Sequence, residues 1–209
     1  MRVLIVRPAP GNAVTAGRIA ALGHDPAVVP LFNVVAQAWD APDPSGFDAV
    51  AMTSVNAARF AGSALARYTH LPLFAVGEAT AVAAAIAGFE RIETGAGDAD
   101  ALAKRLSGRV LHLAGADHRA LQAKADVVTR VVYAAIEAPI GPLPDADCAL
   151  VHSPRAGAAL AARVVHREPL DIVAISAAAA SACGVGWRSV QVAAVPREDA
   201  MLACLAKLA

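Results

Sequence analysis

The chain has 209 residues, 57% of them hydrophobic and 17% charged, with 18 basic and 18 acidic side chains. That composition excludes a disordered chain, and zero net charge leaves no electrostatic footprint for nucleic acid or an anionic membrane surface. The length suits one large domain or two small ones, each able to bury a core.

From the N-terminus onward, apolar runs of strand length alternate with Ala-rich stretches of helical period. The first run, residues 3–6, is stopped by Arg7 and is too short for the core of a signal peptide. A strand is expected there, with others at 49–52, 73–76, 110–113, 148–151 and 172–175. Each is nearly continuous in apolar residues, as strands buried on both faces of a parallel sheet read. Short polar turns lead into predicted helices at 55–67, 79–87 and 155–165; Ser153 suits the N-cap of the last and Pro154 its first position. Segments 30–37 and 127–136 are rich in β-formers and adjoin Pro-punctuated loops, so they are expected to pair as a two-stranded hinge. The most apolar stretch, 172–187, falls short of the roughly 20 residues of a membrane span. Cys148, Cys183 and Cys204 are odd in number and lack C-x-x-C spacing, which reads as buried thiols in a reducing cytoplasm.

An internal repeat sharpens the fold class. Asp48-Ala-Val-Ala-Met-Thr-Ser54 aligns with Asp147-Cys-Ala-Leu-Val-His-Ser153 at an offset of 99, and the same offset pairs Phe74-Ala-Val-Gly77 with Val173-Ala-Ile-Ser176 and Asp100-Ala-Leu102 with Asp199-Ala-Met201. At a slightly longer offset, Arg2-Val-Leu4 aligns with Arg109-Val-Leu111. The pattern implies an α/β fold of two similar open parallel-sheet lobes joined by the two-stranded β hinge, with a cleft formed by loops that follow strands.

Familiar catalytic signatures are absent: no G-x-G-x-x-G after a strand, no Walker lysine loop, no H-E-x-x-H and no G-x-S-x-G. His24, His70, His112, His118, His152 and His166 are scattered, and His112 and His152, in or beside strands, read as hydrogen-bonded structural residues. Asp98 and Asp100 read as helix-start residues. Neither a metal nor an organic cofactor is expected. What remains is a set of small polar residues at strand-to-helix turns: Thr53, Ser54, Gly77, Thr80, Ser153 and Ser176. Such turns expose amides and the positive end of a helix dipole, which suits carboxylates or phosphates, although capping alone accounts for each Ser and Thr equally well. Arg7, Arg119 and Arg155 are candidates for bidentate carboxylate contacts, with a solvated surface role as the alternative for each. Tyr133 reads either as a packed β-former or as a functional hydroxyl.

Leu4-Ile-Val-Arg-Pro8, Thr53-Ser54-Val-Asn-Ala57, Val76-Gly77-Glu-Ala-Thr80-Ala81 and Val132-Tyr133, in that order across nearly the whole chain, resemble uroporphyrinogen-III synthases. The resemblance implies two interleaved lobes, one from residues 1–33 and 138–209 and the other from 38–131, joined by a linker of 34–37 and 132–137. It implies an enzyme that closes hydroxymethylbilane, a linear tetrapyrrole bearing carboxylates, to uroporphyrinogen III. Water is lost and the terminal ring is inverted through a spiro intermediate, without metal or cofactor. It further implies a cytoplasmic monomer with no nucleic-acid or membrane partner.

Residue by residue, Tyr133 matches the family's linker tyrosine and would hydrogen-bond the departing hydroxyl. Thr80 matches its cleft threonine, and Ser54 and Ser153 match its strand-end serines. Arg119 fits a G-x-x-x-R pattern that begins at Gly115. One loop departs from the family: Ile175-Ser176-Ala177-Ala178-Ala179 stands where glycine and threonines are usual, so two hydroxyls are missing. That departure motivates the rival reading, a two-lobed small-anion or tetrapyrrole binding module without catalysis.

Overall fold

The computed structural model describes residues 1–208. In chain order the elements begin with β1 (Arg2–Ile5), α1 (Gly11–Ala21), β2 (Asp25–Val28) and β3 (Phe32–Ala36). There follow β4 (Ala49–Met52), α2 (Val55–Phe60), β5 (Leu73–Ala75), α3 (Glu78–Ile86), β6 (Ile92–Thr94) and α4 (Ala99–Ala103). The strands β7 (Arg109–Gly115) and β8 (Asp126–Glu137) are the longest pair. The chain closes with β9 (Cys148–Val151), α5 (Pro154–Arg163), β10 (Asp171–Ala174), α6 (Ala177–Cys183), β11 (Ser189–Val192) and α7 (Glu198–Leu205). Two compact units result, one of Met1–Asn33 with the chain from Glu137 onward and one of Val34–Ile136.

The first unit holds a sheet of order β11-β10-β9-β1-β2, parallel throughout. Its inner strands β9 and β10 are buried at every position. Pro26 lies in β2, at the sheet's edge, where its missing N–H breaks no ladder. The second unit holds a sheet of order β3-β8-β7-β4-β5-β6, parallel from β8 to β6. The β3 edge pairs with β8, bracketed by Gln37 N to Val132 O and Ala138 N to Leu31 O, both 2.9 Å, which is antiparallel register. The extended segments expected to form a hinge are therefore the edge of this sheet, and the chain passes between units within them.

The repeat has a physical basis. Asp48 Oδ2 accepts from Arg109 N at 2.7 Å, and Asp147 Oδ2 accepts from Arg2 N at the same distance. The two arginines then pair alike, Arg109 Nε with Asp126 at 3.2 Å and Arg2 Nε with Asp25 at 3.4 Å. Because these ion pairs are exposed they contribute little energy; what they mark is register. Matched this way, β11-β10-β9-β1-β2 corresponds strand for strand to β6-β5-β4-β7-β8.

The helix expected over 55–67 stops early. Gly62, at φ +71°, leaves the helical region, and Trp39 Nε1 donates to the Ala61 carbonyl at 2.9 Å, so a 3-10 turn at Ser63–Tyr68 follows instead. The edge strands β2, β6 and β11 carry no continuous apolar run and escape the sequence pattern. In the first unit α5 and α6 pack closely: a Cβ at Gly157 would stand 2.7 Å from the Ala179 carbonyl oxygen and 3.0 Å from Cys183 Sγ. Gly157→Ala should therefore lower unfolding free energy by about 1–3 kcal/mol, read as a lower urea midpoint; an unchanged midpoint would show the helices free to move apart.

Candidate active site

Strands covered on both faces leave only their ends open to a ligand. In the second unit the loops after β4 and β7 converge with β8 on a pocket of about 230 Å³. Thr53 and Ser54 line it from β4, the 115–118 turn from β7, and Tyr133 and Ala135 from β8.

Tyr133 reaches this pocket through a register irregularity. Along β7 and β8, Ala114 faces Val131 and Gly115 faces Tyr133, so Val132 is skipped. Val132 turns fully into the core and Tyr133, half-buried, turns to the pocket. The turn is tied by Ala116 N to the Tyr133 carbonyl at 2.9 Å. Gly115 is indispensable to the geometry: a Cβ there would stand 2.5 Å from Tyr133 Cζ and 2.8 Å from Oη. The phenol ring lies directly over the glycine backbone, with Phe60 tilted beside it at 6.4 Å between centroids. Among the described residues nothing bonds the Tyr133 hydroxyl. The other tyrosine, Tyr68, is fully buried and donates to the Pro42 carbonyl at 2.6 Å. The family resemblance singles out Tyr133, whereas the residue pattern alone leaves it either a packed β-former or a functional hydroxyl.

Ser54 is the N-cap of α2, accepting from Asn56 N at 3.2 Å, and keeps its hydroxyl proton to donate. Thr53 Oγ1 lies 3.2 Å from Nε2 of His112, a fully buried ring whose Nδ1 is 3.4 Å from Thr129 Oγ1. His118 Nδ1–H donates to the Gly115 carbonyl at 2.8 Å, its ring edge-on to His112. Gly77 caps α3 with its carbonyl, and a Cβ there would make only ordinary contact with Gly97. Thr80 is buried in the first turn of α3 and Arg119 is exposed; neither lines the pocket.

The first unit places Ser153 and Ser176 at neighbouring strand ends, capping α5 and α6 through Ala156 N at 3.1 Å and Ala179 N at 3.3 Å. Arg155 lies 4.5 Å over the Phe32 ring. Arg7 folds back against Gly11, 3.4 Å from Thr15 Oγ1 and 3.5 Å from Glu198, so its charge is partly balanced within the unit. His152, expected to be hydrogen-bonded, has both ring nitrogens buried and unpartnered. Ala179 is fully buried, its carbonyl close to Gly157 of α5, whereas Ala178 is exposed. The buried carboxylate Asp171 is structural: Arg188 and Ser189 bond it and hold it below the usual carboxylate range.

Gly115 and His118 were visible only as part of G-x-x-x-R, and His112 only as a strand histidine. A glycine at the end of an otherwise bulky apolar strand was the available signal for the first.

Comparison with known proteins decides the family. The model for uroporphyrinogen-III synthase HemD matches residues 13–203. The chain belongs to the uroporphyrinogen-III synthase family. Its fold is similar to the crystal structure of uroporphyrinogen-III synthetase from Helicobacter pylori, at 17% identity and a TM-score of 0.71, with 100% of each chain covered. A mutant uroporphyrinogen III synthase from the extremely thermophilic bacterium Thermus thermophilus is similar at 17% identity and a TM-score of 0.53, covering 99% of this chain and 98% of that one. No single curated protein sequence matches significantly. Among the described residues no helix is long and apolar enough to cross a membrane.

Burial sets the acid sensitivity of this family member. Desolvation pushes both His112 and His152 down to about 4, helped by His118 and by Arg7 respectively. The unfolded chain binds these two protons from about pH 6.5 downward and the folded chain does not, so stability falls as pH drops from 6.5 to 4. At pH 4.5 the cost is of order 2 kcal/mol per histidine. The urea midpoint should fall between pH 7 and 4.5, and less so in His112→Gln; a flat midpoint would contradict the buried neutral rings.

Proposed function

We propose that this chain cyclises hydroxymethylbilane to uroporphyrinogen III with loss of water and inversion of the terminal ring. The observation that carries the reading is the unpartnered Tyr133 hydroxyl, aimed by the β7–β8 irregularity into a pocket lined by Thr53, Ser54 and the 115–118 turn, Asp117 and His118 included. The pocket is smaller than the roughly 300–1,000 Å³ that encloses a whole ligand, which suits one terminal ring of a longer substrate.

Hydroxymethylbilane loses its terminal hydroxyl readily, and unguided closure joins the unsubstituted carbon. The protein's task is orientation, for which fixed geometry contributes on the order of 7–11 kcal/mol in favourable cases. Tyr133 donates to the departing oxygen, which leaves as water, while the substituted carbon of the terminal ring attacks the methylene to form the spiro centre. That centre then breaks its original bridge bond, the freed bridge methylene recloses on the unsubstituted carbon, and the proton lost there restores the phenol. Thr53 and Ser54 meet polar groups of the same ring. Each unit, taken by itself, offers groups for substrate carboxylates at its capped strand ends: Gly77, Thr80 and Arg119 in the second, and Arg7, Ser153, Arg155 and Ser176 in the first. Glu198 already balances part of the Arg7 charge. We read the protein as acting as a cytoplasmic monomer without nucleic acid, a reading supported by its zero net charge and unpaired buried thiols.

The test generates hydroxymethylbilane in situ, adds purified protein, and separates the uroporphyrin isomers after oxidation. Predominantly isomer III is expected; isomer I alone, at the uncatalysed rate, would favour the binding-module reading. Tyr133→Phe should lower kcat at least ten-fold with the thermal midpoint unchanged, whereas full activity would remove the hydroxyl from the mechanism. Gly115→Ala should cost a similar factor by displacing the phenol, and wild-type turnover there would contradict the fit described above.

A further inference from the structure

We propose that His112 is a positioning residue that fixes the direction of the Thr53 hydroxyl, donating from Nε2–H to Thr53 Oγ1 so that the Thr53 proton points into the Tyr133 pocket. The inference rests on the reading above in one respect, that Thr53 meets substrate there.

Threonine by itself does not choose between donating and accepting, because its hydroxyl hydrogen rotates to suit its neighbour. His112 removes that freedom. Its ring is fully buried between two threonines, Thr53 just beyond β4 and Thr129 on β8, at 3.2 Å and 3.4 Å. The ring is neutral at neutral pH because burial pushes it down to about 4. A neutral imidazole has one donor and one acceptor nitrogen, so the chain of three groups has a single direction at a time. With the proton on Nε2, Thr129 donates to Nδ1, Nε2–H donates to Thr53, and Thr53 is left with its own proton for the pocket. With the proton on Nδ1 the chain reverses, and Thr53 offers the pocket only lone pairs.

The lining of the pocket favours the first direction. The pocket's other hydroxyl groups are Tyr133, with no partner among the described residues, and the cap Ser54, whose oxygen already accepts from Asn56 N. Both present a proton, so a donating Thr53 completes a set of three donors suited to the oxygens of a hydroxyl or carboxylate. Each donor in such a chain polarises the next. The titratable group facing the ring is His118, whose Nδ1–H is committed to the Gly115 carbonyl.

Nitrogen-15 spectra of histidine-labelled protein at pH 7, with the His112 signals identified by their loss in His112→Gln, read the tautomer directly. The neutral Nε2–H form is expected; the Nδ1–H form or an imidazolium would overturn the proposal. This measurement needs no turnover, whereas failure of wild-type protein to make isomer III would count against the enzyme reading instead.

A kinetic cycle reads the consequence. His112→Leu should lower kcat/KM about ten-fold, the scale of one hydrogen bond. In a Thr53→Val background the same change should cost less than a further two-fold. His112→Gln, which keeps an N–H donor near the place of Nε2, should recover most of the loss. Independent, additive losses, or equal damage by Leu and Gln at equal thermal midpoints, would overturn it. Should His112→Leu not fold, the spectrum of the wild type decides alone.

Discussion

A parallel strand buried on both faces has nowhere to place a polar side chain except its ends, and the chemistry of this protein follows from that constraint. The strands β4, β9 and β10 are buried at every position, and the hydroxyls Thr53, Ser54, Ser153 and Ser176 all fall just beyond one of them. Where a polar ring does enter a strand, as His112 does in β7, it is pinned between hydroxyls at both nitrogens. β8 gains a further exit by its register irregularity, which sends Val132 inward and Tyr133 to the pocket.

The two units solve the constraint with one topology. Each has an aspartate before its central strand that binds the backbone N–H of an arginine opening the neighbouring strand, and each arginine pairs with an aspartate on the strand beyond. In the second unit the five matched strands follow one another along the chain. In the first, the matching strands come from both ends of the sequence, so one unit is inserted within the other and β3 and β8 carry the chain across. Similar frames carry different side chains at equivalent ends: His152 stands in the repeat where Thr53 does, and its ring nitrogens are unpartnered while Thr53 is bonded.

Much of this was legible in the sequence because period and burial leave plain marks. Continuous apolar runs located the central strands, and the offset of 99 survived because Asp48 and Asp147 have the same bonding duty. Edge strands such as β6 and β11 were not legible, since half-exposed three- and four-residue strands carry no run to detect. The site was legible by residue type and not by geometry. Nothing in the order of residues says that Tyr68 is spent on Pro42 while Tyr133 is free, or that Gly115 exists to seat a phenol. Those are contacts between strands far apart in the chain.

With only two tyrosines, ring-labelled carbon-13 spectra give one reporter in the pocket and one in the core. Titration with uroporphyrinogen III under anaerobic conditions therefore tests the central claim most directly. The account requires the Tyr133 signal to shift in a saturable way while the Tyr68 signal stays in place. Saturable binding that leaves the Tyr133 signal unmoved would contradict the assignment of this pocket as the active site.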